Sequence, residues 1–149
     1  FILKEFNNRW FVVGKKKGSQ PISNLALDRI IKIDYDFAAS YLDEDFDSEN
    51  FYKHVVGVTV NTGSQPRKIE LWIDHINAPY ALTKPLHNTQ RLIKTNDDGS
   101  IIIHLLLREN YELDRLLLGF GNGLEPERLR KRMRMNLYKG LERYTKDVE

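Results

Sequence analysis

Arg9-Trp10-Phe11-Val12-Val13-Gly14 is the stretch that decides how this chain is read. Two aromatics and two β-branched residues, closed by a glycine, form a strand pattern. Upstream, Asn7-Asn8 is a turn signal and Phe1 to Phe6 alternates as a second strand. Downstream, Gly14-Lys15-Lys16-Lys17-Gly18-Ser19-Gln20-Pro21 reads as a turn. Ile22 to Leu27 and Ile30 to Phe37 then complete a β-meander within residues 1–41. Isolated domains below about 40 residues usually need a disulfide or metal staple. The chain has no cysteine. We therefore expect an incomplete module whose upstream strands lie outside this sequence. Its open edge is expected to be covered by the second module or by a partner chain.

Bulk properties narrow the classes. The 149 residues are 41% hydrophobic and 30% charged, as in an ordinary globular chain of one or two domains. The longest apolar run, Ile101 to Leu107, is strand-length and interrupted by His104. It falls well short of the ~20 residues of a membrane span. Lys4 and Glu5 stand where a signal peptide would have its apolar core. The lack of cysteine excludes Cys-ligated metal and fits a cytoplasmic setting. The net charge is only +2, but residues 42–50 hold five acids and no base. That stretch reads as an exposed linker running into a helix start.

From residue 51 the pattern mixes helix and strand. Ser48 to Val55 reads as a helix with Ser48 as N-cap. Asn61 to Pro66 is a loop. Arg67 to Asp74 alternates, with Ile69, Leu71 and Ile73 on one face and Lys68, Glu70 and Trp72 on the other. Asp74 caps a helical stretch to Leu82, and Leu86 to Thr95 is a strand. Asn96-Asp97-Asp98-Gly99 is a hairpin turn before a strand from Ser100 to Leu107. Glu112 to Leu118 is a helix ended by Gly119, Leu124 marks a short strand, and Glu125-Pro126 opens the last helix. The order is β-α-β-β-α-β plus a helix, a ferredoxin-like arrangement. The expected class is α+β: a partial Sm/SH3-like barrel over 1–41, the acidic linker 42–50, and a ferredoxin-like domain over 51–149.

The strand Trp10-Phe11-Val12, its glycine and basic turn, and Arg29 just before Ile30 resemble the WYL domain. Phe11 and Val12 stand where that family's name has Tyr and Leu, so one hydroxyl is missing. The second module resembles the C-terminal extension that follows WYL domains. The likeness rests on Tyr80, on Pro85-Leu86-His87-Asn88-Thr89-Gln90, on Asn110-Tyr111-Glu112-Leu113, on Gly119-Phe120-Gly121 and on Leu124-Glu125-Pro126 with Leu129-Arg130. The resemblance implies a bacterial transcription regulator that senses a nucleic acid or nucleotide-like anion. The family's N-terminal winged helix-turn-helix is not among these residues. It implies that Arg29 lies at the ligand pocket, and that the terminal region contacts a partner subunit or nucleic acid.

The residues themselves favour binding over catalysis. The four histidines, His54, His75, His87 and His104, lack the i, i+4 spacing of a helical metal pair. Asp97-Asp98 is turn chemistry, and Gly119 to Gly123 lacks the Lys-Ser/Thr ending of a phosphate loop. No enzyme, metal or cofactor is expected. In the first module Lys4, Arg9, Trp10 and Arg29 are the candidate ligand contacts. Trp10 is either core or a stacking platform, and Arg29 either snorkels, pairs with Asp28, or faces a concave site. On the second module's open sheet face, Trp72, His104 and Arg108 fit single-stranded nucleic acid. Trp72, Ile102 and Leu106 equally fit a subunit contact. His87 and Gln90 form a polar cluster with Arg91. In the last helix Arg128, Arg130 and Arg132 crowd the side opposite a stripe of Leu129, Met133, Leu137, Leu141 and Tyr144. The expected function is the sensor half of such a regulator, acting as a homodimer away from membranes. A protein-interaction module without a ligand is the alternative, and an enzyme acting on nucleotides a third.

Overall fold

A computed structural model describes residues 1–15, 22–39, 46–61, 63–120 and 122–145. The chain is α+β. Its first sheet is an antiparallel meander of β1 (Ile2–Phe6), β2 (Arg9–Lys15) and β3 (Ile22–Ala26). Asn7 and Asn8 join β1 to β2 at φ 51° and 60°, the left-handed pair a two-residue hairpin needs. Asparagine tolerates that conformation better than most residues. The three described strands form an open sheet. Val13 and Ala26 are buried, whereas Trp10 is 51% exposed and so is not core.

The expected strand over residues 30–37 is absent. A short 3₁₀ turn (Leu27–Arg29) leads into irregular chain that pairs with no described strand. Ile31, Ile33, Tyr35 and Phe37 are all largely exposed. Alternation makes a strand only where another edge supplies hydrogen bonds. The basic turn at 16–21 and the acidic run at 40–45 lie outside the described residues.

Helix α1 (Ser48–Tyr52) is shorter than expected, and Asp47 rather than Ser48 caps it, its Oδ1 accepting from Asn50 N at 2.9 Å. Capping needs a side chain one residue outside the helix, and Asp47 holds that place. The second sheet orders its four antiparallel strands β5 (Arg91–Thr95), β6 (Ile101–Leu107), β4 (Arg67–Ile73) and β7 (Asn122–Glu125). Helices α2 (Ala78–Thr83), α3 (Tyr111–Phe120) and α4 (Glu127–Thr145) complete the expected β-α-β-β-α-β order plus a terminal helix. Three boundaries differ. β5 starts at Arg91 because Pro85–Gln90 is a self-bonded loop: Gln90 accepts from Leu86 N and donates to Ala81 O. Gly119 lies inside α3 instead of ending it. The last helix begins at Glu127, with the Pro126 carbonyl accepting its first bonds.

Alternation on β4 and β6 decides the core. Ile69, Leu71 and Ile73 meet Ile101, Ile103, Leu105 and Leu107, all at most 1% exposed. Ala78 and Ala81 of α2, Leu113 and Leu117 of α3, and Leu129 and Met133 of α4 pack on that same face. Each large aliphatic buried this way contributes roughly 1.5–3 kcal/mol. On the other face Lys68 and Leu106 are exposed and Glu70, Trp72, Ile102 and His104 are half-buried.

The two modules meet along Val55–Val60. Asn24 Nδ2 of β3 donates to the Val58 carbonyl at 2.9 Å. From the other side, buried Asn110 donates to the carbonyls of Val56 and Thr59, both at 2.8 Å, and caps α3 by accepting from Leu113 N. Glu112 accepts from Thr59 N and Oγ1. One strap thus ties the first sheet to the start of α3.

Candidate anion-binding groove

The uncovered face of the second sheet is built from the alternate residues of β4 and β6. Glu70 stands opposite His104 and Trp72 opposite Ile102. His104 Nε2 and Glu70 Oε2 are 2.8 Å apart, a cross-strand pair. Trp72 donates Nε1–H to Ser100 Oγ at 3.1 Å, which satisfies the indole donor and fixes its ring beside the hairpin.

Beyond the end of β5, side chains take over the edge of β6. Thr89 Oγ1 accepts from Leu106 N at 3.1 Å, and His54 Nδ1 lies 3.0 Å from the Leu106 carbonyl. His87 Nδ1 accepts from Thr89 N at 3.2 Å, which leaves the ring's proton on Nε2 in the neutral form. Burial, and then the charge of His54, hold His87 below the ordinary histidine pKa, while the Val55 carbonyl draws it partly back. The loop motif read from sequence is therefore a brace for the end of the sheet.

That brace walls a groove of about 530 Å³. Its rim carries Lys53, Lys68 and Arg91, with Asn88, Thr89 and His104 beside them. Among the described residues no carboxylate lines it, and Glu70 on the same face is paired with His104. Three exposed cations, of which Arg91 also donates Nη1 to the Gln90 carbonyl at 2.9 Å, surround a concave surface with an apolar floor at Leu105 and Leu106, and their summed charge makes the groove electropositive.

The residues marked from sequence divide between places. His104 lies in the groove. Lys4 and His87 line a neighbouring cleft. Gln90 is spent on the loop's own backbone. Arg108 Nη1 donates to the Ser64 carbonyl and pins the Asn61–Pro66 loop. At the far end of the first sheet, Arg9 pairs with Asp28 at 3.2 Å, and exposed Trp10 lies on the same strand. Arg29 is exposed, and no ion pair or hydrogen bond of its side chain is found among the described residues.

The arginines of α4 are the clearest case of charge already used. Arg132 clasps Asp114 with Nε and Nη2, at 2.8 and 2.6 Å, and reaches Glu109 with Nη1 at 2.6 Å. Arg128 donates to the other Glu109 oxygen at 2.6 Å. Burial alone would raise the Glu109 carboxyl, but the hydrogen bonds and charges of Arg128 and Arg132 outweigh it and hold the pKa low. The Asp114 hydrogen bonds raise Arg132 further above its already high value. Arg130, by contrast, stays exposed with Lys131 and Arg134 on the outer side.

Sequence reading missed Lys53 and Thr89 as site residues. Lys53 gave no signal because only the fold brings the end of α1 against β6. Lys68 and Arg91 were visible as face and loop residues, but their convergence depends on strand pairing.

An α+β module with one braced, cation-rimmed sheet face is the class that fold and site define. The family model for the WCX domain matches residues 65–139, half of the chain. The chain belongs to the WCX-domain family, the C-terminal extension of WYL-type regulators. No curated protein matches it. Among the described residues no helix is long and apolar enough to cross a membrane.

Proposed function

We propose that this chain is the ligand-sensing, regulatory half of a WYL-type transcription regulator. It binds an oligonucleotide or nucleotide-like anion and passes the bound state to a DNA-reading domain. On this reading the second module is ferredoxin-like, the first sheet is part of an Sm-like barrel, and the working unit is a cytoplasmic homodimer with no catalytic role. The observation that carries it is the groove of Lys53, Lys68 and Arg91, free of carboxylates. Membership of the WCX-domain family supports a regulatory role. Phosphate contacts by lysine and arginine would dominate affinity and make it steeply salt-dependent. Arg29, exposed and without a side-chain partner among the described residues, supplies a second anion contact on the first sheet.

The test is fluorescence anisotropy with labelled single-stranded DNA and RNA across a salt series. Log affinity falls linearly with log salt, and Lys68→Ala or Arg91→Ala weakens binding several-fold and lowers the salt slope by about one. Binding that is absent at low salt, or indifferent to both variants, sinks this use of the groove.

A second reading has its own observation. Leu137, Leu141 and Tyr144 continue the apolar stripe of α4 past the core and are each more than half exposed. That stripe supports a protein-interaction module, with or without a ligand.

A further inference from the structure

A second hollow opens beside the groove. It holds about 430 Å³ between β1, α1 and the His87–Asn88 loop. The two share Lys53 and Asn88, so they meet at one junction. Each lies within the 300–1,000 Å³ of ordinary small-molecule sites. We propose that they form one bipartite site: the groove takes a phosphate, and the cleft takes the flat base of the same nucleotide. This deepens the proposed function and rests on its reading of the groove.

The contrast in lining chemistry assigns the two halves. The groove presents cations and no acid. The cleft presents Ile2, Leu3, Val55 and the Tyr52 ring, with one acid, Glu49, and two lysines, of which Lys4 lies over the Tyr52 ring and Lys53 is shared with the groove. A second phosphate would meet Glu49 there, whereas a planar body with amino groups on its rim is welcome. Lys4 Nζ is 4.4 Å from the Tyr52 ring centroid, which holds that cation against the aromatic wall. His87, whose pKa burial lowers, offers a ring edge to the same cleft. Lys53, at the end of α1, sits where base and phosphate would join. Because β1 belongs to the first sheet and Lys68 and Arg91 to the second, a ligand filling both halves bridges the modules.

Calorimetry on the full chain with pyrophosphate, adenosine, ADP and UDP tests this. At least one nucleoside diphosphate should bind about tenfold more tightly than pyrophosphate, the scale of one base contact. Leu3→Gln, which adds no charge beside the shared Lys53, should erase most of that ratio and leave pyrophosphate affinity unchanged. Leu3 is 55% exposed, so the variant is expected to fold, which circular dichroism checks. As an independent measurement on the unaltered chain, the nucleotide should slow amide exchange in residues 2–6 and pyrophosphate should not. Equal affinity for pyrophosphate and both nucleotides, or no protection of residues 2–6, overturns the bipartite site and leaves the groove standing. Failure of all four ligands at low salt removes the groove reading and this one with it.

Discussion

Glu109 lies between the end of β6 and the start of α3, 8% exposed, with two arginines of α4 on its two oxygens. Removing its charge leaves Arg128 and Arg132 short of an acceptor. Glu109→Gln should therefore cost about 1–3 kcal/mol, less than a fully buried pair because Arg128 is largely solvated. Urea melts at neutral pH measure this. Since the folded-state carboxyl is depressed, its contribution is present above the ordinary carboxylate pKa and is lost as pH falls through the depressed value. Thermal melts should show the wild type losing its advantage over Glu109→Gln in the acid range below about pH 4.5. Gly57 is the other decisive position. Its φ is +77°, and an added Cβ would come within 2.6 Å of the Glu112 side chain. Gly57→Ala should cost about 1–3 kcal/mol in the same urea assay, through left-handed strain and displacement of the strap's anchor.

Helix α4 shows how one element serves two environments. Its apolar stripe is regular in sequence, yet only Leu129 and Met133 are buried. Leu137, Leu141 and Tyr144 run on beyond the sheet that the first turns cover. Leu129→Ala should cost roughly 2–5 kcal/mol in denaturant melts, and Leu141→Ala less than about 0.5 kcal/mol. Near-equal losses would mean that the distal half is also packed in solution. The stripe was legible from its spacing, but periodicity reports which side of a helix is apolar and not what lies against it. The same limit explains residues 30–37, where alternation was clear and no described strand supplies the pairing edge.

For the whole molecule, the exposed half of α4 and the apolar side chains of Ile31, Ile33, Tyr35 and Phe37 leave much hydrophobic surface uncovered. Such surface usually marks a partner contact. The proposed homodimer should appear in light scattering as a mass that rises with concentration. Replacing Leu137 and Leu141 together by Asp should return it to a monomer, without changing the melting of dilute samples. A monomer at all concentrations counts against the dimer and leaves anion binding to be judged by its own assay.

The sequence by itself determined the α+β class, the element order of the second module and the apolar face of its two central strands. It could do so because alternation in Arg67–Ile73 and Ile101–Leu107 and the Asp98-Gly99 turn are local signals, written within a few residues of each other. Only the tertiary structure decided which basic residues are available. Arg128 and Arg132 look like free phosphate contacts in a basic helix, yet they are held by Glu109 and Asp114 from distant parts of the chain. Lys53, Lys68 and Arg91, far apart in sequence, converge on one groove. The physical reason is that a charge's role depends on its nearest partners, and those are set by packing across elements, which no local pattern encodes.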